Sequence, residues 1–235
     1  MGGIYTLGTQ WGGVLRDNVI HDITKYAYGG WGVYNDEGSS EMLVEKNLTC
    51  RTATPGYNMH YGRDELVRNN IFALSREAQI GRRRLEQHRS FVYEGNLLYW
   101  AEGHMFEGHQ NDPQMSHIGF RHNLYWQVGG GPVNFGGITM KDSQALGNDR
   151  DSIVADPLFV NPEAGDFRLR PESPALKMGF EPIESWSLDR VSRSPARCST
   201  GASRRSLPSR RPGRPHRQAW ESSARGVPRR LRCFP

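Results

Sequence analysis

One recurring unit constrains the fold of this chain more than any other feature. It is an apolar residue, two variable residues, Asn, then an aliphatic residue. It occurs as Leu15-Arg16-Asp17-Asn18-Val19, Val44-Glu45-Lys46-Asn47-Leu48, Val67-Arg68-Asn69-Asn70-Ile71, Tyr93-Glu94-Gly95-Asn96-Leu97 and Phe120-Arg121-His122-Asn123-Leu124. The Asn-to-Asn spacings are 29, 23, 26 and 27 residues. A spacing that varies this much fits no heptad or helical-hairpin repeat. Short β-rich runs such as Trp31-Gly32-Val33-Tyr34 and Phe91-Val92-Tyr93 fill the units, separated by Gly and polar turns. The pattern predicts an all-β solenoid, a right-handed parallel β-helix, with about five visible coils.

The Asn has a physical role in such a stack. Successive coils lie about 4.8 Å apart, the spacing of strands in a sheet. An Asn at one place in every coil can hydrogen-bond to the Asn above and below it. Its amide also satisfies backbone groups at a tight bend. The five asparagines are therefore expected to form one or two ladders.

Beyond Asn123 the repeat loosens. Gly129-Gly130-Gly131-Pro132 and Phe135-Gly136-Gly137 read as a loop or insertion. Then comes Asp156-Pro157-Leu158-Phe159, followed by Gly165-Asp166-Phe167-Arg168-Leu169, Ser173-Pro174-Ala175 and Gly179-Phe180. This run closely resembles the C-terminal ending of many bacterial pectate-lyase-like right-handed β-helix proteins, where it forms the last turns and a cap. The segments Gly32 to Ser40, His60-Tyr61-Gly62-Arg63 and Arg68 to Ala73 look like bacterial β-helix proteins grouped near glycoside hydrolases of plant or algal polysaccharides. The resemblance covers residues 1–185. Its ending is specific to the fold, and its body motifs are less specific for an activity.

Charge divides the chain. From Trp186 to Pro235 there are 13 Arg, no Lys and two acids, a net of +11. The remaining 17 bases and 23 acids leave residues 1–185 at −6. The segment 186–235 is Arg-, Ser- and Pro-rich with few aliphatic residues, so it is expected to be a disordered tail. Arg without Lys is also what out-of-frame translation of GC-rich DNA gives, and a frameshifted tail is the first expectation. A basic arm for nucleic acid is the weaker reading, because aromatic residues are not interleaved with the arginines. Cys50, Cys198 and Cys233 form no zinc-type pattern.

No apolar run is long enough for a membrane helix. The first residues, Met1 to Gly8, lack a signal-peptide pattern and read like the middle of a strand. The chain is accordingly expected to be the C-terminal part of a longer helix. Upstream coils would then line part of the groove, so the polypeptide as written is expected to be inactive. The resemblance implies an extracellular or periplasmic location and a polysaccharide substrate; a monomer is expected.

Glycoside hydrolysis needs two carboxylates flanking the bond, and successive coils of a β-helix can supply them from one face. Aligning coils by their ladder Asn stacks Asp36-Glu37, His60-Tyr61 and Arg82-Arg83. Glu77 sits just before the equivalent strand of the third coil. Asp36, Glu37, Glu77 and His60 are thus the candidate catalytic residues. Trp31, Tyr34, Tyr61, Arg63 and Arg82 are the candidate substrate-binding residues, the aromatics by stacking on a sugar ring. Each has a plainer reading: Asp36-Glu37-Gly38 as a turn, Glu77 as a salt-bridge partner, His60 as a wall residue, and Arg82-Arg83-Arg84 as a solvated charge run.

Two alternatives to a hydrolase stand beside it. One is a non-catalytic carbohydrate-binding or scaffold protein. The other is a polysaccharide lyase, which would need an Arg or Lys base and often calcium; Lys is sparse in the body. His104, His109, His117, His122 and Asp112 lack the spacing of a metal site, so no metal and no cofactor are expected.

Overall fold

The structure, a computed structural model, describes residues 1–108, 117–135 and 137–183. The Arg-rich segment lies outside the described residues, as do His109 and Asp112. The described chain is the all-β, right-handed parallel β-helix expected from the repeat, and it makes about six turns. Three parallel sheets run along it. Sheet A is built from Gly2–Thr6, Trp31–Asn35, Tyr57–Met59, Ala78–Arg82 and His104–Glu107. Sheet B is built from Val14–Arg16, Leu43–Glu45, Glu65–Arg68, Phe91–Glu94 and Ile118–Arg121. Sheet C contains Val19–His21, Leu48–Cys50, Ile71–Ala73, Leu97–Trp100, Leu124–Gln127 and Ile153–Val154. Within these three sheets each strand pairs in parallel with the equivalent strand one coil away.

Each sheet sends one row of side chains inward. In sheet A it is Ile4, Val33, Tyr57, Ile80 and Phe106. In sheet B it is Leu15, Val44, Val67, Tyr93 and Phe120. Sheet C contributes Ile20, Thr49, Phe72, Leu98 and Tyr125. Aromatic rings fill the middle: Tyr57, Phe72, Phe91, Tyr93 and Phe120 meet at centroid separations of 5.6–6.3 Å, mostly edge to face or tilted.

The five asparagines form one ladder. Asn18 Nδ2 donates to Asn47 Oδ1 (2.8 Å), Asn47 to Asn70 (2.9 Å), Asn70 to Asn96 (2.9 Å) and Asn96 to Asn123 (3.3 Å). The same Oδ1 atoms accept the backbone N–H of the preceding rung at 2.9–3.1 Å. Each rung follows a residue in the left-handed region: Asp17, Lys46, Asn69, Gly95 and His122, at φ between +50° and +61°. That bend joins sheet B to sheet C, and Asn at its exit satisfies the backbone groups the bend strands. A sixth rung is Ser152, whose Oγ accepts from Asn123 N at 2.9 Å.

The two segments read as a loop and a terminal cap do different jobs from those expected. Residues 133–135 and 137–149 close the C-terminal end of the interior. Val133 and Phe135 are buried there, with Phe135 against Phe120 and Tyr125 at 5.5 and 5.6 Å. A short helix, Met140–Ala145, is started by a Thr139–Asp142 capping box. The run from Asp156 onward does not add a coil. It makes an antiparallel hairpin, Phe159–Asn161 with Asp166–Leu169, and then folds back along the outside of sheet C. The outer row of that sheet explains this: Leu48, Cys50, Ile71, Ala73, Leu97, Tyr99 and Leu124 are apolar, and Phe159, Phe167, Ala175, Phe180 and Ile183 bury them.

Candidate functional site

Asp36 follows the second strand of sheet A, and Trp31–Asn35 aims it. The register of Asn35 with Met59 brings His60, the first residue after the next strand, alongside. His60 Nδ1 lies 2.9 Å from Asp36 Oδ1 and 3.8 Å from Glu37 Oε1. One ligand-capable atom from each of Asp36, Glu37 and His60 lies within 4.8 Å of the others. Three of the four candidate catalytic residues are thus one cluster.

Asp36 is the hub. Tyr5 OH donates to its Oδ2 (2.6 Å) and Tyr34 OH to its Oδ1 (2.9 Å). Burial alone would raise the Asp36 carboxyl. The hydrogen bonds from Tyr5, Tyr34 and His60 overcome it and leave the group below its ordinary value. Asp36 is therefore an anion through the neutral range. Its hydrogen bond also pushes the Tyr5 phenol up to about 12. Burial first, then hydrogen bonding, raises the Tyr34 phenol. Both phenols stay neutral donors. Nδ1 is the imidazole nitrogen of His60 that faces Asp36.

A groove of about 390 Å³ adjoins this cluster on the outer face of sheet A. Its walls include His60, Glu77, Trp31, Tyr34, Arg83 and Glu107. Glu77 lies in the turn before Ala78–Arg82 and is ion-paired with Lys25, which also lines the groove. The fourth candidate catalytic residue thus shares the groove, already paired.

The substrate-binding candidates divide. Trp31 and Tyr34 line the groove but stack on each other at 4.3 Å and are each 3% exposed. Tyr28, edge-on to Trp31 at 4.9 Å and 71% exposed, is the groove aromatic with free surface. Tyr61 packs its ring against His60 at 5.1 Å, with the Arg84 guanidinium 4.6 Å from its centroid. Arg63 turns away to Glu41 at 2.8 Å and is not part of the groove wall. Arg82 is 1% exposed and pairs in register with Met59, which in turn aligns with Asn35 and Thr6. The stack next to Asp36 and His60 is therefore continued by Arg83, one residue later than the ladder alignment places it. In a strand a one-residue slip exchanges the two faces.

Glu107, Lys25, Tyr28 and Tyr5 were not singled out from the sequence, and Arg83 was placed in the stack but not among the binding candidates. Tyr5 had a signal, since it is the residue of the first coil that aligns with Tyr34. Glu107 had one too, since it lies 11 residues after a ladder Asn, as its register partners Gly81 and Asn58 do. Of the histidines weighed for a metal, His104, His117 and His122 lie on three different turns or strand ends. His122 bonds instead to the Met178 carbonyl at 2.6 Å. Among the described residues, the metal-capable grouping is Asp36, Glu37 and His60, of which Asp36 and His60 are hydrogen-bonded to each other.

The groove observed is lined by residues between Lys25 and Glu107. No family model, curated protein or solved structure matches the chain.

Proposed function

We propose that the chain is a carbohydrate-active β-helix protein, a glycoside hydrolase of a plant or algal polysaccharide with Asp36, Glu37 and His60 as its chemical centre. The observation that carries this reading is the cluster itself, three proton-transfer groups within 4.8 Å beside a groove of sugar-binding size. Asp36 stays ionised and orients His60. Glu37, 53% exposed against 15% for Asp36, is the carboxylate open to a glycosidic oxygen. Glu77 on the groove wall supplies a second acid facing the sugar.

One observation favours the competing reading of a non-catalytic binding protein. Asp36 already accepts hydrogen bonds from Tyr5, Tyr34 and His60, which is the full set of a structural carboxylate. The two readings separate on reducing-sugar release across a broad panel of polysaccharides. The hydrolase reading expects release from at least one polymer. Binding without release on every polymer would leave the binding protein.

A further inference from the structure

We propose that Asp36, Glu37 and His60 hold a first-row divalent metal ion of the zinc type. The proposal takes the same three groups as the hydrolytic reading and adds an ion to them, but it stands on their spacing and chemistry, not on the substrate.

The donor atoms are already gathered. One atom from each residue lies within 4.8 Å of the other two. Asp36 Oδ1 and Glu37 Oε1 lie 2.9 and 3.8 Å from His60 Nδ1. Metal–ligand bonds of about 2.0–2.2 Å set neighbouring donors about 3.0–3.5 Å apart, and the two distances bracket that range. Glu37 is 53% exposed, so its side chain can turn to close the wider gap. The ion takes the place of the proton between Asp36 Oδ1 and His60 Nδ1, which leaves to solvent.

The ligands are held from behind. Tyr5 OH donates to Asp36 Oδ2 and Tyr34 OH to Oδ1. Donors of this kind, outside the ion's own shell, orient a ligating carboxylate. The backbone is pinned as well. Asp36 N donates to the Thr6 carbonyl, Gly8 N to the Glu37 carbonyl and His60 N to the Asn35 carbonyl, at 2.8–3.0 Å. Each ligand therefore sits against a neighbouring coil and is placed before an ion arrives.

The site is open to solvent, with the His60 side chain 33% exposed. Three protein ligands leave further positions for water or substrate, as at a catalytic zinc. The imidazole selects the metal. Calcium and magnesium take oxygen ligands, whereas a mixed nitrogen and oxygen set suits zinc and its neighbours. The two carboxylates balance the ion's double charge. None of the histidines weighed from the sequence takes part.

The test is titration calorimetry of the full chain with zinc chloride, and with calcium chloride in a parallel run. Zinc is expected to fill one site that depends on His60, at least tenfold more tightly than calcium. Other histidines and cysteines of the chain also take up zinc, so the site is read as the difference from His60→Ala. That variant and Glu37→Gln are each expected to weaken the site at least tenfold. His104→Ala, outside the cluster, is expected to keep it. Zinc is also expected to raise the melting temperature of the unaltered chain and not that of His60→Ala. Melts without metal show that the variants fold, and Glu37→Gln decides if His60→Ala does not. Equal zinc uptake by the unaltered chain and His60→Ala would overturn the proposal. So would tighter binding of calcium than of zinc, or no zinc binding at all. Since no polysaccharide is present, each of these results leaves the carbohydrate reading to its own test.

Discussion

Asn70 carries more of the fold than any apolar residue of its size. Its Oδ1 accepts from the N and Nδ2 of Asn47, and its own amide donates to Asn96, to the Val44 carbonyl and to the Arg68 carbonyl. It is fully buried, so Asn70→Ala orphans several partners at once and is expected to cost about 2–5 kcal/mol. Asn18 sits at the exposed end of the ladder with fewer partners. Asn18→Ala is expected to cost less than half as much by urea denaturation; equal costs would mean that the ladder is not a cooperative line. Glu65 is the opposite kind of buried polar residue. Burial pushes its carboxyl up to about 7, against the downward pull of hydrogen bonds from Tyr57 and Asn35, each 2.5 Å. Its folded value lies above the ordinary 4.5, so the protonated form is favoured by the fold. That stability is complete below about pH 4.5 and is lost as pH rises to about 7, on the order of 3 kcal/mol in all. Glu65→Gln is expected to remove this slope and to raise the urea midpoint at pH 8. A steeper fall between pH 5 and 7 in the variant would contradict the assignment.

At the scale of elements, the hairpin and the short helix Pro174–Lys177 act as a strap. They cover the outer row of sheet C and reach back to the second coil, where Lys46 pairs with Glu181 at 2.7 Å. In the third coil, Asn69 exchanges two 2.8 Å hydrogen bonds with the Glu181 backbone. Phe167 is fully buried at the centre of that contact. Phe167→Ala is expected to cost about 3–5 kcal/mol, measured by chemical denaturation. A cost under 1 kcal/mol would mean that the strap is dispensable. The sequence made the sheet B and sheet C strands legible because a ladder Asn marks the bend between them. Sheet A was harder to read. No ladder residue marks its start, and the stretch from sheet A to the next ladder Asn varies in length, 13 residues from Tyr57 to Asn70, 16 from Ile80 to Asn96 and 17 from Phe106 to Asn123. That is why Asp36 and His60 were aligned from the sequence but Arg82 was taken for Arg83. Sequence patterning likewise cannot distinguish a run that adds a coil from one that folds back, because both are alternately apolar. The fold-back is decided by the bare outer face of sheet C.

For the whole molecule, the solenoid is a rigid ruler that sets Asp36 and His60 side by side from residues 24 apart in sequence. Among the described residues, the candidate site lies along sheet A, while the ladder and the strap hold the other two sheets. The central claim is that this edge performs glycosidic cleavage. Its most direct test is reducing-end release from the polysaccharide panel by the full chain and by Asp36→Asn. The replacement keeps the size of the side chain but removes the anion that orients His60. Release is expected from the unaltered chain, with kcat/KM lowered at least about a hundredfold in the variant. No release from any polymer, or equal release from the two proteins, would contradict the account.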